Sequence, residues 1–438
     1  MQYDVLIIGA GAAGLTAAAE LARAHVSALV VDARARIGGR IWSHQEPDLP
    51  VPVELGAEFI HGYAAATFAL LAKAAAAAVD TGDTHWWRRA GTLAPVDALL
   101  AEIRTAMQTT QVLAQQDLTF EAFLEGPLQG KLSRDACTYA RLLAQGFDAA
   151  DTRRASARAI VEEWTGGAAV DAPQFRPLGG YGPLLAALAA ELRSSRVALQ
   201  LQTVVHHVRW QRGGVEIQGT WHGRGFTARA KRAIITLPLG VLQSPARAPG
   251  AVRFTPPLTA KRAALHHLAP GPVIKVLLRF RTAFWEELEH HRYRDGAFFH
   301  DPTAAFPTVW TALPVRTPLL AAWAAGPYAQ QLAGLPTPAL LTHALDSVRA
   351  IFLGHRSIEP ALASAWVHDW QRDPFARGAY SYVCVHGGQA RHTLAEPLAA
   401  TLFFAGEATD THGEAGTVAG ALHSGRRAAH EVLDAAEG

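Results

Sequence analysis

Cysteine is nearly absent from this chain of 438 residues, with only Cys137 and Cys384, far apart. Two such residues give neither a disulfide framework nor the paired spacing of a metal site, so a reducing compartment is expected and each is read as small buried filler. Charge of one sign is lacking too. The formal net charge is +2 and no basic run occurs, which removes the electrostatic footprint that nucleic acid would need. No apolar stretch has membrane-spanning length, since the alanine-rich run from Leu70 to Val79 is short and interrupted by Lys73. No internal repeat is evident. No secretory leader is expected, because residue 3 already enters an apolar strand. What the chain does have is hydrophobic residues, 50% of the total, and length enough for two or three domains.

The most informative segment lies at the start. Val5-Leu6-Ile7-Ile8 reads as one buried strand and runs into Gly9-Ala10-Gly11-Ala12-Ala13-Gly14. An alanine-rich helix pattern follows from Leu15 to about Ala24, and a second apolar run, Ala28-Leu29-Val30-Val31, ends on Asp32. Strand, G-x-G-x-x-G, helix, strand and acid make a βαβ dinucleotide site. Gly9 permits the tight turn, Gly11 lets the backbone approach a pyrophosphate, and Gly14 lets helix and strand pack closely. The pyrophosphate sits at the positive end of the helix. Asp32 is placed to accept hydrogen bonds from ribose hydroxyls, which favours NAD or FAD over NADP.

Just past the second strand comes Arg34-Ala35-Arg36-Ile37-Gly38-Gly39-Arg40. Gly-Gly-Arg supplies close backbone approach and a fixed cation, suited to a second phosphate contact. The stretch from Asp32 to Arg40 resembles the FAD-binding start of the flavin-containing amine oxidases, which include monoamine oxidases, polyamine oxidases and related histone demethylases. The resemblance extends over essentially the whole chain. It implies an α/β protein: a Rossmann-type FAD-binding domain, a mixed-sheet substrate domain and a helical insert. Its divisions fall at residues 1–80, 195–245 and 371–438 for the FAD-binding parts, 81–194 for the substrate-side helical insert and 246–370 for the substrate domain.

Patterning adds detail. From about Ala98 to Glu163 the chain reads as helical, broken at Gly126-Pro127, and a helix resumes at Leu184 to Leu192. Val197–Leu201, Val204–Trp210, Val215–Thr220 and Phe226–Ala230 read as antiparallel strands, and Ala233 to Leu242 as a buried strand halted by Pro238. Strands are expected around Val273–Phe280 and Thr308–Leu313, and helices from about Ala339 to Phe352 and from near Thr417 to about Leu433.

The resemblance also implies site residues. Gly9, Gly11, Ala13, Gly14, Asp32, Ala33, Arg34, Gly39 and Arg40 would hold the nucleotide, and Val205 would contact adenine through its backbone. Glu54-Leu55-Gly56-Ala57-Glu58-Phe59-Ile60-His61 resembles the segment running past the flavin in polyamine-oxidising members. Gly56 and Ala57 would let the backbone reach the ring. Glu58 serves either a cationic substrate or the fold. His61 stands at the mouth of the substrate pocket, either hydrogen-bonding an amine and managing its proton near neutral pH, or ordering the loop. Lys275 is a cation inside the apolar run Val273–Phe280, where burial is costly without a purpose; by resemblance it bonds flavin N5 through a water and serves reoxidation by dioxygen. Trp370 and Tyr380 would stand beside the flavin. Ala379 replaces the cysteine that tethers FAD in monoamine oxidases, so FAD is expected without a covalent link. Gly406 and Glu407 would bind ribitol or ribose hydroxyls. Thr417 and Val418 would begin a helix aimed at the flavin N1–C2=O edge. Thr417 stands where many members place a second aromatic, so Tyr380 is expected to be a one-sided wall.

The function so implied is oxidation of a small-molecule amine to an imine with dioxygen reduced to hydrogen peroxide, in a soluble cytoplasmic enzyme without metal, membrane or nucleic-acid partner. The C-terminal membrane anchor of some members is not expected here, since the chain stops soon after Arg427. Two alternatives stay open: a related flavin oxidase acting on amino acids or C–C bonds, and a flavin-containing interaction protein without turnover.

Overall fold

The computed structural model describes residues 2–82, 84–89, 91–166, 173–193, 195–352 and 358–437. Two large sheets organise it. The first has the order Val197–Gln200, Ala28–Val31, Gln2–Ile8, Arg224–Ile235, Gly214–Trp221, Thr203–Gln211 and Arg253–Thr255, with Leu402–Phe404 also pairing to Arg224–Ile235. Its centre is parallel: Gln2–Ile8 lies between Ala28–Val31 and the second half of Arg224–Ile235. Both faces of that centre are covered, which is why the runs are continuously apolar. Val5, Ile7, Val30 and Ile234 pack toward the helices, and Leu6, Ile8, Val31 and Ile235 pack under the antiparallel strands.

The helix Ala12–Arg23 lies against the C-terminal helix Val418–Glu437. Small residues set that approach. A Cβ on Gly425 would collide with the carbonyl oxygen of Ala13, and one on Gly14 with that of Gly9. Thr417 starts the C-terminal helix, its hydroxyl accepting from Gly420 N at 3.1 Å and donating to Glu414 O.

The second sheet has the order Leu362–Asp369, Val273–Phe280, Leu319–Ala325, Thr308–Thr311, Phe298–His300, His85–Arg89 and Thr92–Pro95. Alternation along Val273–Phe280 gives it two different faces. Ile274, Val276, Leu278 and Phe280 pack with Leu340, Ala344 and Val348 of the helix Thr337–Phe352. Leu277 packs with Val51, Val53 and Leu55, and Val273 with Trp370. The insert consists of Asp97–Gln108, Val112–Gln115, Phe120–Glu125, Arg134–Gly146 and Ala157–Thr165, three of them started by the side chains of Thr119, Ser133 and Ser156.

Three expectations are corrected. Val197–Gln200 is parallel, hydrogen-bonded to Ala28–Val31 at the outer edge of the nucleotide sheet. The two strands expected before Pro238 are one strand, Arg224–Ile235, whose first half is antiparallel to Gly214–Trp221 and whose second half is parallel to Gln2–Ile8. After it, Leu239–Leu242 forms a helical turn. The helix Gly182–Glu191 packs on Ala12–Arg23 and Ala65–Lys73. Among the described residues no helix is long and apolar enough to cross a membrane, and Cys137 and Cys384 are both free.

Candidate active site

The nucleotide cradle forms where the parallel strands end. Gly9 adopts φ +117°, a backbone that favours glycine. Beyond it, the first turn of Ala12–Arg23 lines an elongated cavity together with Gly11, Ala13, Asp32, Ala33 and Val205. Gly14 stands behind this wall as the packing glycine. Asp32 is 7% exposed. Its carboxyl accepts Ala10 N and Arg34 N, each at 2.8 Å, and burial raises its pKa against those two bonds.

The second grip comes from the far end of the chain. Arg40 Nη1 donates to Glu407 Oε1 at 2.8 Å and to Ala379 O at 2.5 Å. Arg34 pairs with Asp373 at 2.7 Å and stacks over Phe375. Gly39, Gly406, Glu407, Thr417 and Val418 line the same cavity. Glu407 is further held by the Ser381 hydroxyl at 2.7 Å. Burial raises its pKa, but Arg40 and Arg391 outweigh that and hold it low. Arg40 and Glu407, expected as separate cofactor contacts, are thus a pair, each fixing the other at the cavity wall.

The cavity continues to Gly56, Ala57, Trp323, Trp370 and Tyr380. A Cβ on Gly56 would collide with the Arg40 carbonyl oxygen, so the loop past the ring site must have glycine there. Trp370 is 2% exposed and donates from its indole to Leu55 O. Tyr380 donates to Phe147 O at 2.5 Å. Behind the Gly56–Ala57 wall stands Lys275, 1% exposed. Its Nζ donates to Glu58 Oε2 at 2.6 Å and to Gly56 O at 3.2 Å. Glu58 is also held by Arg176 Nη2 at 2.8 Å and by the Trp310 indole at 3.1 Å. Glu58 therefore faces two cations of the protein. Burial raises its pKa; Lys275 and Arg176 together pull it below the ordinary value.

His61 sits on the short strand Ile60–His61, edge-on to Phe147 with ring centroids 5.3 Å apart. It is open to solvent yet crowded by protein, a side chain in a recess. That crowding depresses its pKa to about 4, against a hydrogen bond that the imidazole donates to the Gln174 side chain, which raises it. The expectation of titration near neutrality is corrected: His61 is a neutral imidazole at pH 7.

Four residues escaped the sequence reading. Thr236 lines the cradle and donates to Ile8 O and Gly9 O; its place at the end of a buried strand was a usable signal. Trp323, opposite Lys275 in the sheet, is a second aromatic at the ring end, and a lone indole among the alanines of Leu319–Ala325 was a hint. Arg176, and Glu54 with its pKa raised to about 7 by burial, carried no local signal.

This is the geometry of an elongated dinucleotide site opening on an aromatic chamber, and residues 12–433 match the family of flavin containing amine oxidoreductases. The chain belongs to that family. It is 27% identical to human lysine-specific histone demethylase 2 over 98% of its own length and 53% of that protein, so it spans about half the length of that relative. It is 26% identical to polyamine oxidase 2 of Arabidopsis thaliana, covering 98% of the chain and 87% of that protein. In fold it is similar to putrescine oxidase solved with putrescine bound, with a TM-score of 0.80, 21% identity and 99% of both chains covered. The residues fit FAD. Glycines 11 and 39 pack against one another, a Cβ on Gly39 falling 3.4 Å from Gly11 Cα, and both line the cavity; Gly406 has open space where a Cβ would stand, and helix starts line the cavity from both ends of the chain.

Proposed function

We propose that this protein oxidises a small-molecule amine to an imine at a non-covalently held FAD, with dioxygen taken to hydrogen peroxide, as a soluble cytoplasmic enzyme. FAD, when bound, supplies the hydride acceptor and passes the electrons to dioxygen. The observation that carries the reading is the continuity of one cavity from the Gly9–Gly14 cradle to a chamber walled by Tyr380, Trp323 and Thr417, with the Lys275 ammonium buried behind its glycine wall.

Each residue has a part that needs no covalent step. Tyr380 and Trp323 are fixed by hydrogen bonds to Phe147 O and Gly146 O and orient the substrate carbon while excluding water. Neutral His61 at the recess can accept a hydrogen bond from an incoming ammonium at its unprotonated ring nitrogen. Lys275, oriented by Glu58 and Gly56 O, presents a fixed positive charge near the ring end, where reoxidation builds negative charge. Ala379 offers no thiol for a tether. The arginines on the flanks are engaged, Arg176 by Glu58 and Arg391 by Ser381, which supports an amine over an amino acid whose carboxylate needs a clamp.

The test is anaerobic: amines bleach the flavin absorbance, and readmitted air restores it with release of hydrogen peroxide. Bleaching by amino acids alone would transfer the chain to the amino-acid oxidases. No bleaching by any reductant substrate would leave an interaction protein.

A further inference from the structure

The loop that carries Thr417 into the cavity is held by a buried acid that the scheme above does not use. Asp410 is 2% exposed. Its backbone N–H donates to Glu407 O at 3.3 Å, and its Oδ2 accepts His412 N at 3.1 Å and Glu414 N at 2.9 Å. Glu414 O in turn accepts the Thr417 hydroxyl at 2.6 Å and Thr417 N at 3.3 Å. Gly416, in the left-handed region at φ +79°, stands against the Tyr380 ring, where a Cβ would fall 3.7 Å from Cδ2. Asp410 thus fixes a loop that meets Glu407 at its start and Tyr380 at its end.

The second oxygen of Asp410 is free. Among the described residues Asp410 Oδ1, Glu414 Oε2 and His423 Nδ1 all lack a hydrogen-bond partner, yet they face one spot. His423 Nδ1 lies 3.3 Å from Glu414 Oε2 and 3.9 Å from Asp410 Oδ1, and His412 Nδ1 lies 3.9 Å from that same Oδ1. A carboxylate this deep with an empty acceptor is costly to keep, and two facing carboxyls resist ionising together. Burial raises the pKa of Glu414 and Asp410 adds to it, against the two histidines. The neighbouring charges are engaged elsewhere. Arg391, on the helix Ala390–Ala395, feels Asp410 but donates to Ser381 Oγ and O. Glu407 is taken by Arg40 and Ser381. On the helix of His423, Arg426 pairs with Glu20 and Arg427 with Glu431, while Lys73 pairs with Glu191. Among the described residues no group of three or more His, Cys, Asp or Glu is arranged to hold a metal. The counter-charge that fits is a proton, and histidine is the side chain that takes one up between pH 5 and 8.

We propose that Asp410 and His423 are positioning residues for the flavin end of the cavity: protonated His423 fills the empty carboxylate acceptors, locks the loop from Asp410 to Thr417 and tightens the grip on FAD. The inference rests on the flavin site and does not depend on which substrate is oxidised. Protons favour the locked loop, so affinity for FAD falls as pH rises and His423 becomes neutral. Serial dilution of the holoenzyme, with released flavin read by its fluorescence, gives the FAD Kd at each pH. Between about pH 6 and about pH 8.5 the wild-type Kd should rise about fivefold or more. His423→Gln, neutral throughout, should match the alkaline wild type and lose that step. Asp410→Asn keeps an amide oxygen for the two backbone N–H groups and should lose the step as well. Glu54 titrates in the same window in every variant, so the difference from wild type decides. A merely structural role would weaken FAD by one factor at every pH and leave the wild-type step in place, which overturns the proposal. The His423 side chain is 27% exposed, so its variant decides the matter even where Asp410→Asn does not fold. FAD binding that follows these pH profiles without oxidation of any amine would uphold this inference and remove the proposed activity alone.

Discussion

Replacing Glu58 with Gln isolates the most concentrated electrostatic device in the molecule. Glu58 sits between Lys275 at 2.6 Å and Arg176 at 2.8 Å, with side-chain exposures of 10%, 1% and 8% for Glu58, Lys275 and Arg176. Glu58→Gln leaves two cations without their counter-ion. Lys275 then keeps Gly56 O and the face of Trp310, 5.2 Å away, and Arg176 keeps Leu313 O and Thr311 O, with a neutral amide oxygen in place of the carboxylate between them. Removing one partner of a buried pair costs about 3–5 kcal/mol, and the remaining carbonyls put the expected loss near the lower end. For 438 residues, an unfolding entropy of about 2.1 cal/mol/K per residue turns a loss of about 3 kcal/mol into a fall of about 3 °C in Tm. Lys275→Met should cost less, because Glu58 retains Arg176 and the Trp310 indole. The double variant Glu58→Gln/Lys275→Met strands only Arg176, so it should be more stable than the sum of the single losses by about 1.5 kcal/mol. Urea midpoints of the FAD-saturated protein, followed by tryptophan fluorescence, give the cycle. Additivity within about 0.5 kcal/mol would refute the coupling.

Glu54 should make stability fall as pH rises. Its ordinary value of 4.5 is raised to about 7 in the fold, chiefly by burial, so between those values the folded state holds a proton that the unfolded chain has lost; the loss grows through pH 7 to at most about 3 kcal/mol. Glu54→Gln should flatten that decline in Tm, and an unchanged slope would count against it. His61→Gln should lower kcat/KM by a factor that does not vary between pH 6 and pH 9, because the imidazole titrates near 4; a shifted acid limb in the pH profile would contradict this. Gly425→Val should destabilise by about 3 kcal/mol or abolish folding, since a side chain there meets the Ala13 carbonyl; urea midpoints measure it, and a wild-type midpoint would contradict the packing.

Legibility followed the distance over which each interaction works. The cradle from Gly9 to Asp32 could be read because its turn, helix and acid are consecutive in the chain. Lys275 stood out because a lone ammonium in Val273–Phe280 violates the apolar pattern around it. Strand direction was harder: nothing local in Val197–Gln200 says that its neighbour is Ala28–Val31, since the pairing depends on the course of the chain between them. Arg176 was invisible because its meaning lies in Glu58, 118 positions away. Arg40 and Glu407 were each noticed, but their mutual contact, 367 positions apart, belongs to the folded chain alone. The pKa of His61 likewise depends on how tightly its recess is walled, which residue type cannot tell.

The most direct measurement is the fate of FAD on the purified protein. Binding titration should give one saturable site per chain, with a yellow spectrum, and acid precipitation should release all the flavin into the supernatant, as expected with Ala379 in place of a thiol. Protein that stays colourless after addition of FAD would contradict the joint grip of the Gly9–Arg40 and Gly406–Val418 segments on one nucleotide.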